Sequence, residues 1–351
     1  RFGELLMRGV PAEWHPLTLP GHHWKWRMRG AAVHFALESA DLLARDFDLV
    51  LASSFTDLAA LSALAPRIAA CPRVLYFHEN QLSYPDREAR ARDHHFGLTQ
   101  IVSGLVADRC VFNSAFNRDA FLAEGEALLA RMPRPRPRGW MARIADEAEI
   151  LPVPVALEAS APPAPDPPPG AGRAEGPLLV WPHRWEHDKG PERLFAVLTA
   201  LADRGVPFRV ALLGERAARW PSLFERGREA LGDRVVAFGP ASRAAYLATL
   251  KRAQIALSTA EHEFFGVAMV EASHAGAFAL VPDRLAYPEI FPAEHRYGSD
   301  DELEARLGTL CRDWTGGALD LRADRRALTA RFGPPMLEAW RQAILRWSGA
   351  S

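Results

Sequence analysis

Apolar and polar positions along this chain fall into short blocks whose period changes repeatedly. Phe47–Ala52 (FDLVLA), Arg73–His78 (RVLYFH) and Arg109–Phe112 (RCVF) are apolar runs of strand length, rich in β-branched and aromatic residues. Each leads into a stretch with helical patterning: Phe55–Leu64, His94–Val106, and a segment opened by Ser114, a good N-cap. The alternation predicts βαβ units and a parallel sheet. A second series begins at Leu178–Trp181 and continues with strands at Phe208–Leu213, Val235–Phe238 and Ile255–Ser258. Its helices are expected at Pro191–Ala202 and after Gly266, and Leu319–Trp347 also reads as helical. From Pro152 to Pro177 the pattern stops, because PPAPDPPPGAGRAEGP cannot form a core element and reads as a loose, extended linker. The expected organisation is therefore α/β, with domains at 1–155 and 178–318, a linker at 156–177 and a helical segment at 319–351. Two doubly wound sheets facing a cleft would bind ligands at the carboxyl ends of their strands.

Composition narrows this only a little. The chain has 351 residues, 48% of them hydrophobic, which suits two cores rather than one. Its net charge of −1 supplies no global basic field, so a polyanionic partner must be held by local clusters. Cys71, Cys110 and Cys311 are far apart and match neither a metal spacing nor a disulfide framework, as expected in a reducing cytoplasm. No run approaches the roughly 20 apolar residues of a membrane span. The sequence starts at Arg1, and Phe2–Met7 already reads as helix-like.

The chemistry gathers where strands end. In EHEFFGVAMVEA, Glu263 and Glu271 are separated by seven residues. Glu263 falls in the loop after a strand, Gly266 opens a helix, and Glu271 lies about a turn and a half into it. Free N–H groups at such a helix start suit an anion, and flanking carboxylates suit a hydroxyl-rich ligand such as a sugar or ribose. Phe264, Phe265, Val267, Ala268 and Met269 leave little solvated face around them. In WPHRWEHDKG, Arg184 and Lys189 follow a strand as two cations fit for a diphosphate. The same segment matches the zinc-peptidase spacing H-x-x-E-H through His183, Glu186 and His187, but that pattern needs a helix. In FHENQLSYP, four different hydrogen-bonding side chains, His78, Glu79, Asn80 and Gln81, crowd one strand end where a plain turn would suffice.

Two basic stretches remain. HHWKWRMRG interleaves Trp24 and Trp26 with Lys25, Arg27 and Arg29. That pattern suits unpaired nucleotides stacked among cations, and equally a helix start with snorkelling cations. The Pro-stiffened stretch Arg131–Arg143 carries Arg134 and Arg136 and could track phosphates. It reads equally as a solvated loop.

Taken together, YFHENQLSYP, VFNSAFN, WPHRWEHDKGPE, STAEHEFFGVAMVEA and YPEIFPAE resemble the tRNA-queuosine mannosyltransferase family of retaining GT-B glycosyltransferases, over about Leu19 to Pro292. The resemblance implies two Rossmann-like domains, the first on the acceptor side and the second binding the nucleotide sugar. It implies a GDP-mannose donor, no metal, and queuosine at the wobble position of aspartate tRNA as acceptor. By matching motif, Arg184 and Lys189 would hold the diphosphate, Glu271 the ribose and Glu263 the sugar. Phe265, Gly266 and Val267 would line the donor, and His78 would lie near the reacting centre. Trp24, Lys25, Trp26, Arg27, Asn80, Gln81, Arg134 and Arg136 would face the tRNA. The final helix is expected to cross back to the first domain. The family opens with a strand and a Gly-Ser-His loop that this sequence does not contain, so the first sheet is expected to lack that strand. Three other readings are a related glycosyltransferase with a lipid or small-metabolite acceptor, an inactive RNA-binding protein, and a zinc peptidase.

Overall fold

The computed structural model describes residues 2–84, 94–157, 163–170, 172–215 and 221–349. Pro85 of the FHENQLSYP stretch, and 158–162 and 171 of the expected linker, lie outside them. The chain divides into two compact units: residues 1–154 with 334–351, and 155–333.

The first unit is built on four parallel strands in chain order: β1 (Val50–Ser53), β2 (Arg73–Phe77), β3 (Arg109–Phe112) and β4 (Ala148–Ile150). Period-two alternation splits the central strands between two layers. Leu75, Phe77, Cys110 and Phe112 pack with Leu58, Ile101 and Phe121 of helices Leu58–Leu64, His94–Val106 and Ala115–Ala130. Val74, Tyr76 and Val111 point the other way, against Leu6 and Val10 and the C-terminal helix Pro334–Ser348. That helix offers Trp340, Ala343, Ile344 and Trp347 at helical spacing, and Trp340 Nε1 donates to the Pro152 carbonyl at 2.9 Å.

The second unit is a six-stranded parallel sheet ordered β10-β9-β8-β5-β6-β7. Its strands are β5 (Leu178–Trp181), β6 (Arg209–Leu213), β7 (Val235–Gly239), β8 (Ile255–Leu257), β9 (Phe278–Pro282) and β10 (Arg296–Tyr297). The order runs outward from β5 in one direction and from β8 in the other, so the topological switch point lies between β5 and β8.

Several boundaries differ from the sequence pattern. β1 starts at Val50, because Phe47 packs beside the helix Trp24–Glu38 instead of joining the sheet. The next helix starts at Leu58, where Asp57 caps it by accepting from the Ala60 amide at 2.9 Å. Leu319–Trp347 is not one helix: Pro334 opens the last helix after Gly333, and residues up to 333 stay with the second unit.

The described part of the Pro-rich stretch is not loose. Asp166 accepts from the amides of Leu321 and Arg322 at 2.6 and 2.9 Å. Buried Arg173 donates to the carbonyls of Pro167, Trp314 and Leu319 and lies 4.9 Å over the Trp314 ring. Prolines cannot donate to a sheet, but their carbonyls and flanking side chains still strap the segment to the second unit.

Candidate active site

The carboxyl ends of β5 and β8 bring together two motifs that lie far apart in sequence. After β5 the chain runs through His183 and Arg184 to a short 3-10 turn, His187–Lys189. Gly190 then takes the left-handed conformation at φ 63° and opens the helix Pro191–Asp203; a Cβ there would sit 2.2 Å from the Thr259 carbonyl oxygen. This contact presses the β5 loop against the β8 loop. Both the Glu261 and His262 amides donate to the Asp188 carbonyl, at 2.8 and 3.0 Å.

Lys189 is the centre of the cluster. Its ammonium lies 3.0 Å from Asp188 Oδ2, 2.9 Å from the His262 carbonyl and 3.3 Å from Glu263 Oε2. Burial pulls its pKa down, but Glu263 and Asp188 together outweigh that and hold it above its ordinary value. Burial likewise pushes Glu263 upward, while Lys189 and His183, with a hydrogen bond donated by the Phe265 amide to Oε1 at 3.2 Å, hold it below the usual carboxylate value. His183 and His262 are pushed down to about 4, by burial first and then by Lys189, so both are neutral near pH 7. His183 Nε2 is buried and has no hydrogen-bond partner among the described residues.

Arg184 differs sharply from Lys189. Its side chain is 56% exposed and pairs with Glu186 at 3.3 Å. The expected diphosphate pair is thus one outward cation and one already enclosed by carboxylates. The zinc-peptidase spacing falls on a loop and a 3-10 turn, not on a helix. Among the described residues no group of three or more His, Cys, Asp or Glu could hold a metal ion.

Gly266 sits at φ 96° and begins the helix Val267–His274. A Cβ at Gly266 would lie 2.9 Å from the Tyr287 ring, whose hydroxyl is 2.7 Å from Ser258 Oγ. The YPEIFPAE string therefore supplies the floor beneath the glycine. Phe265 is buried and meets Phe332 edge-on at 5.2 Å, so it supports the loop from below. Glu271 is buried too, with Arg243 and Tyr246 donating to its carboxylate. The sequence pattern singled out neither donor. A buried glutamate demands a partner, but nothing in the spacing says which helix provides it.

The first unit resolves the crowded strand end. Asn80 is 0% exposed: its amide donates to Asn117 Oδ1 at 2.8 Å, and its Oδ1 accepts from the Leu82 and Ser83 amides and the Ser83 hydroxyl. Those contacts make Asn80 a builder of the turn. Gln81 is half-buried and its amide donates to Glu79 Oε1 at 3.0 Å. His78 is half-buried between the rings of Phe2 and Tyr76, 4.7 and 4.6 Å away, and burial lowers its pKa to about 4.

The Trp-rich stretch is the start of the helix Trp24–Glu38. Trp24 is 39% exposed and packs on Phe96 and Phe55, with Lys25 Nζ 5.6 Å from its ring; Trp26 is 72% exposed. Arg27 is half-buried. Arg134 is exposed, as is Arg136, which donates to the Met132 carbonyl at 3.1 Å.

Two parallel sheets with packed helices, the second doubly wound and carrying cations and carboxylates at its switch point, correspond to a GT-B glycosyltransferase fold. The solved structure of Anabaena Alr3699/HepE in complex with UDP and glucose has this fold. It superposes with a TM-score of 0.61 at 16% identity, over 91% of this chain and 81% of that one. The chain belongs to the tRNA-queuosine alpha-mannosyltransferase family: it is 40% identical to the Drosophila melanogaster tRNA-queuosine alpha-mannosyltransferase over 307 residues, 84% of this chain and 78% of the relative. Residues 1–155 match the family's N-terminal model, tRNA-queuosine alpha-mannosyltransferase N-terminal. A stretch of 128 residues is also 33% identical to a GDP-mannose-dependent alpha-(1-6)-phosphatidylinositol dimannoside mannosyltransferase of Mycobacterium tuberculosis, covering 36% of this chain and 33% of that protein.

Proposed function

We propose that this chain transfers mannose from GDP-mannose, with retained configuration, to the queuosine nucleoside at the wobble position of aspartate tRNA. The observation that carries the reading is its 40% identity to a tRNA-queuosine alpha-mannosyltransferase across 78% of that relative. Mannose as the transferred sugar is supported by the names of both mannosyltransferases it resembles, and GDP-mannose as donor by the name of the Mycobacterium tuberculosis one.

In this reading the diphosphate lies against the helix start at Gly266, with Arg184 and Lys189 as its cations. Glu271 would accept the ribose hydroxyls of the nucleotide. Lys189 would exchange its longest contact, the 3.3 Å one to Glu263, for a phosphate oxygen, releasing that carboxylate towards the sugar. The bond from the anomeric carbon to the diphosphate oxygen breaks with oxocarbenium character, and its electron pair leaves on GDP. The acceptor hydroxyl attacks from the same face, and its proton passes to the departing phosphate oxygen. Catalysis is then mainly electrostatic stabilisation of the leaving charge. His78, neutral near pH 7, would act near the reacting centre as a hydrogen-bonding group and not as a cation. No metal enters this scheme.

Trp26, 72% exposed, would offer a stacking surface to an unpaired base, and Trp24, 39% exposed and packed on Phe96, a smaller one. Gln81 would contact the cyclopentene-diol hydroxyls, and Lys25, Arg27, Arg134 and Arg136 would meet phosphates. Among the described residues no helix is long and apolar enough to cross a membrane, and the reading places the reaction in the cytoplasm, where tRNA is. The test is labelled mannose transfer from GDP-mannose to tRNA with and without queuosine, in buffer and in EDTA. Transfer only to queuosine tRNA, unchanged by EDTA, is expected. Transfer to queuosine-free tRNA would overturn the acceptor, and loss in EDTA restored by a divalent metal would overturn the metal-free scheme.

A further inference from the structure

Glu271 is held from outside its own helix. Arg243 Nη2 donates to Oε1 at 2.7 Å, and the Tyr246 hydroxyl donates to Oε2 at 3.0 Å. Both donors stand one turn apart on the helix Arg243–Leu250, capped by Ser242, whose Oγ accepts from the Ala245 amide at 3.2 Å. The Arg243 guanidinium also lies 5.3 Å over the Tyr246 ring, so the pair is a unit. That helix is the crossover from β7 to β8, and β8 ends at the switch point. It therefore links the outer part of the sheet to the place where the donor is read.

A carboxylate has about four acceptor directions, two on each oxygen. In Glu271, Arg243 fills one direction on Oε1 and Tyr246 one on Oε2. The terminal torsion of a glutamate is broad, so an untethered carboxylate would rotate and present its oxygens in many planes. One donor on each oxygen removes that freedom and aligns the remaining lone pairs side by side. Vicinal hydroxyls of a furanose ring present two donors at comparable spacing. Arg243 also pairs the charge of Glu271, which an isolated buried carboxylate could not keep without a large desolvation cost.

We propose that Arg243 and Tyr246 are positioning residues that fix the plane of the Glu271 carboxylate for the ribose diol of the donor nucleotide. The proposal rests on the reading of Glu271 as the ribose acceptor. Arg243 and Tyr246 act through Glu271 and need not touch the nucleotide. A site built to receive a hydroxyl discriminates against the analogue that lacks it, because its acceptor is left unpaired. Such discrimination is a property that a merely structural ion pair would not control.

The experiment is calorimetric titration of the full chain with GDP and with 2′-deoxy-GDP. Wild type, Glu271→Ala, Arg243→Ala, Arg243→Lys and Tyr246→Phe are compared, with thermal unfolding as a check on folding. Wild type should prefer GDP by roughly tenfold or more, the scale of a hydrogen bond to a charged acceptor. Glu271→Ala and Arg243→Ala should both bring that ratio near one, chiefly by weakening GDP. Arg243→Lys should recover part of it, and Tyr246→Phe should lose part of it. If Arg243→Ala does not fold, Tyr246→Phe, which removes a single hydroxyl, carries the test. A wild-type ratio retained in folded Arg243→Ala or Tyr246→Phe overturns the proposal, as does an equal loss for both nucleotides. If wild type binds GDP without preference and Glu271→Ala changes nothing, the ribose role of Glu271 falls and the proposal with it. Mannose transfer to queuosine tRNA would still stand in that case, so the two failures are distinguishable.

Discussion

At the scale of single residues, the two cations of the site have opposite surroundings, and their variants should separate cleanly. Arg184→Ala removes an exposed guanidinium whose paired Glu186 remains hydrated, so unfolding temperature should hardly move. Turnover should fall by about a hundredfold, the scale of losing one donor preorganised for leaving-group charge. Lys189→Ala should cost comparable activity and also lower the unfolding temperature, because buried Asp188 and half-buried Glu263 then lose their common counter-charge. Unchanged turnover in both variants would contradict the diphosphate assignment. His183 and His262 provide a further test. Their folded pKa of about 4 lies below the ordinary 6.5, so unfolding lets each bind a proton between those values. The unfolded state then binds more protons, and stability must fall as pH falls from 6.5 towards 4. The slope approaches about 1.4 kcal/mol per pH unit for each histidine. Unfolding temperatures from pH 7 to 4.5 should show this decline, and it should be shallower in the His183→Asn, His262→Asn double variant. A decline of equal slope in wild type and double variant would contradict burial of these two rings as its cause.

At the scale of elements, the loop–helix junction at Gly266 is the most constrained part of the site. Gly266→Ala combines a left-handed backbone, costing about 1–2 kcal/mol for a residue with a Cβ, with a contact against Tyr287. The expected result is weaker GDP binding and slower turnover in a folded protein; GDP binding and transfer both at wild-type level would contradict the role of this helix start. The elements carrying the site were largely legible in the sequence, since β2, β3, β5 and β8 are buried on both faces and read as continuous apolar runs. The helix Trp24–Glu38 is not settled by pattern. It buries Met28, Ala31, Ala32, Phe35 and Ala36 yet exposes Trp26, Val33 and Leu37, so no single apolar stripe marks it. β4, formed by Ala148, Glu149 and Ile150, is too short and polar to announce itself. Sequence alone does not show that Asn80 bonds its own turn, because hydrogen-bonding capacity is the same whether a side chain faces a ligand or its own backbone. Only burial decides, and Asn80→Ala should cost about 1–3 kcal/mol of stability in the first unit, read by denaturant unfolding.

For the whole molecule, near-zero net charge means that tRNA must be gripped locally. Reversing Arg134 and Arg136 to Glu should raise the Michaelis constant for tRNA and flatten the salt dependence of binding, at roughly 0.7–0.9 in log K per log salt for each lost phosphate contact. An unchanged slope would remove the arm from the interface. Mannosylation of queuosine in tRNA can be read by mass spectrometry of the nucleosides released from queuosine-bearing tRNA after incubation with the protein and GDP-mannose. The queuosine peak should be converted to a species heavier by one hexose, with no other nucleoside changed. A queuosine peak that stays unmodified while GDP-mannose is consumed, or a hexose found on any other nucleoside, would contradict it.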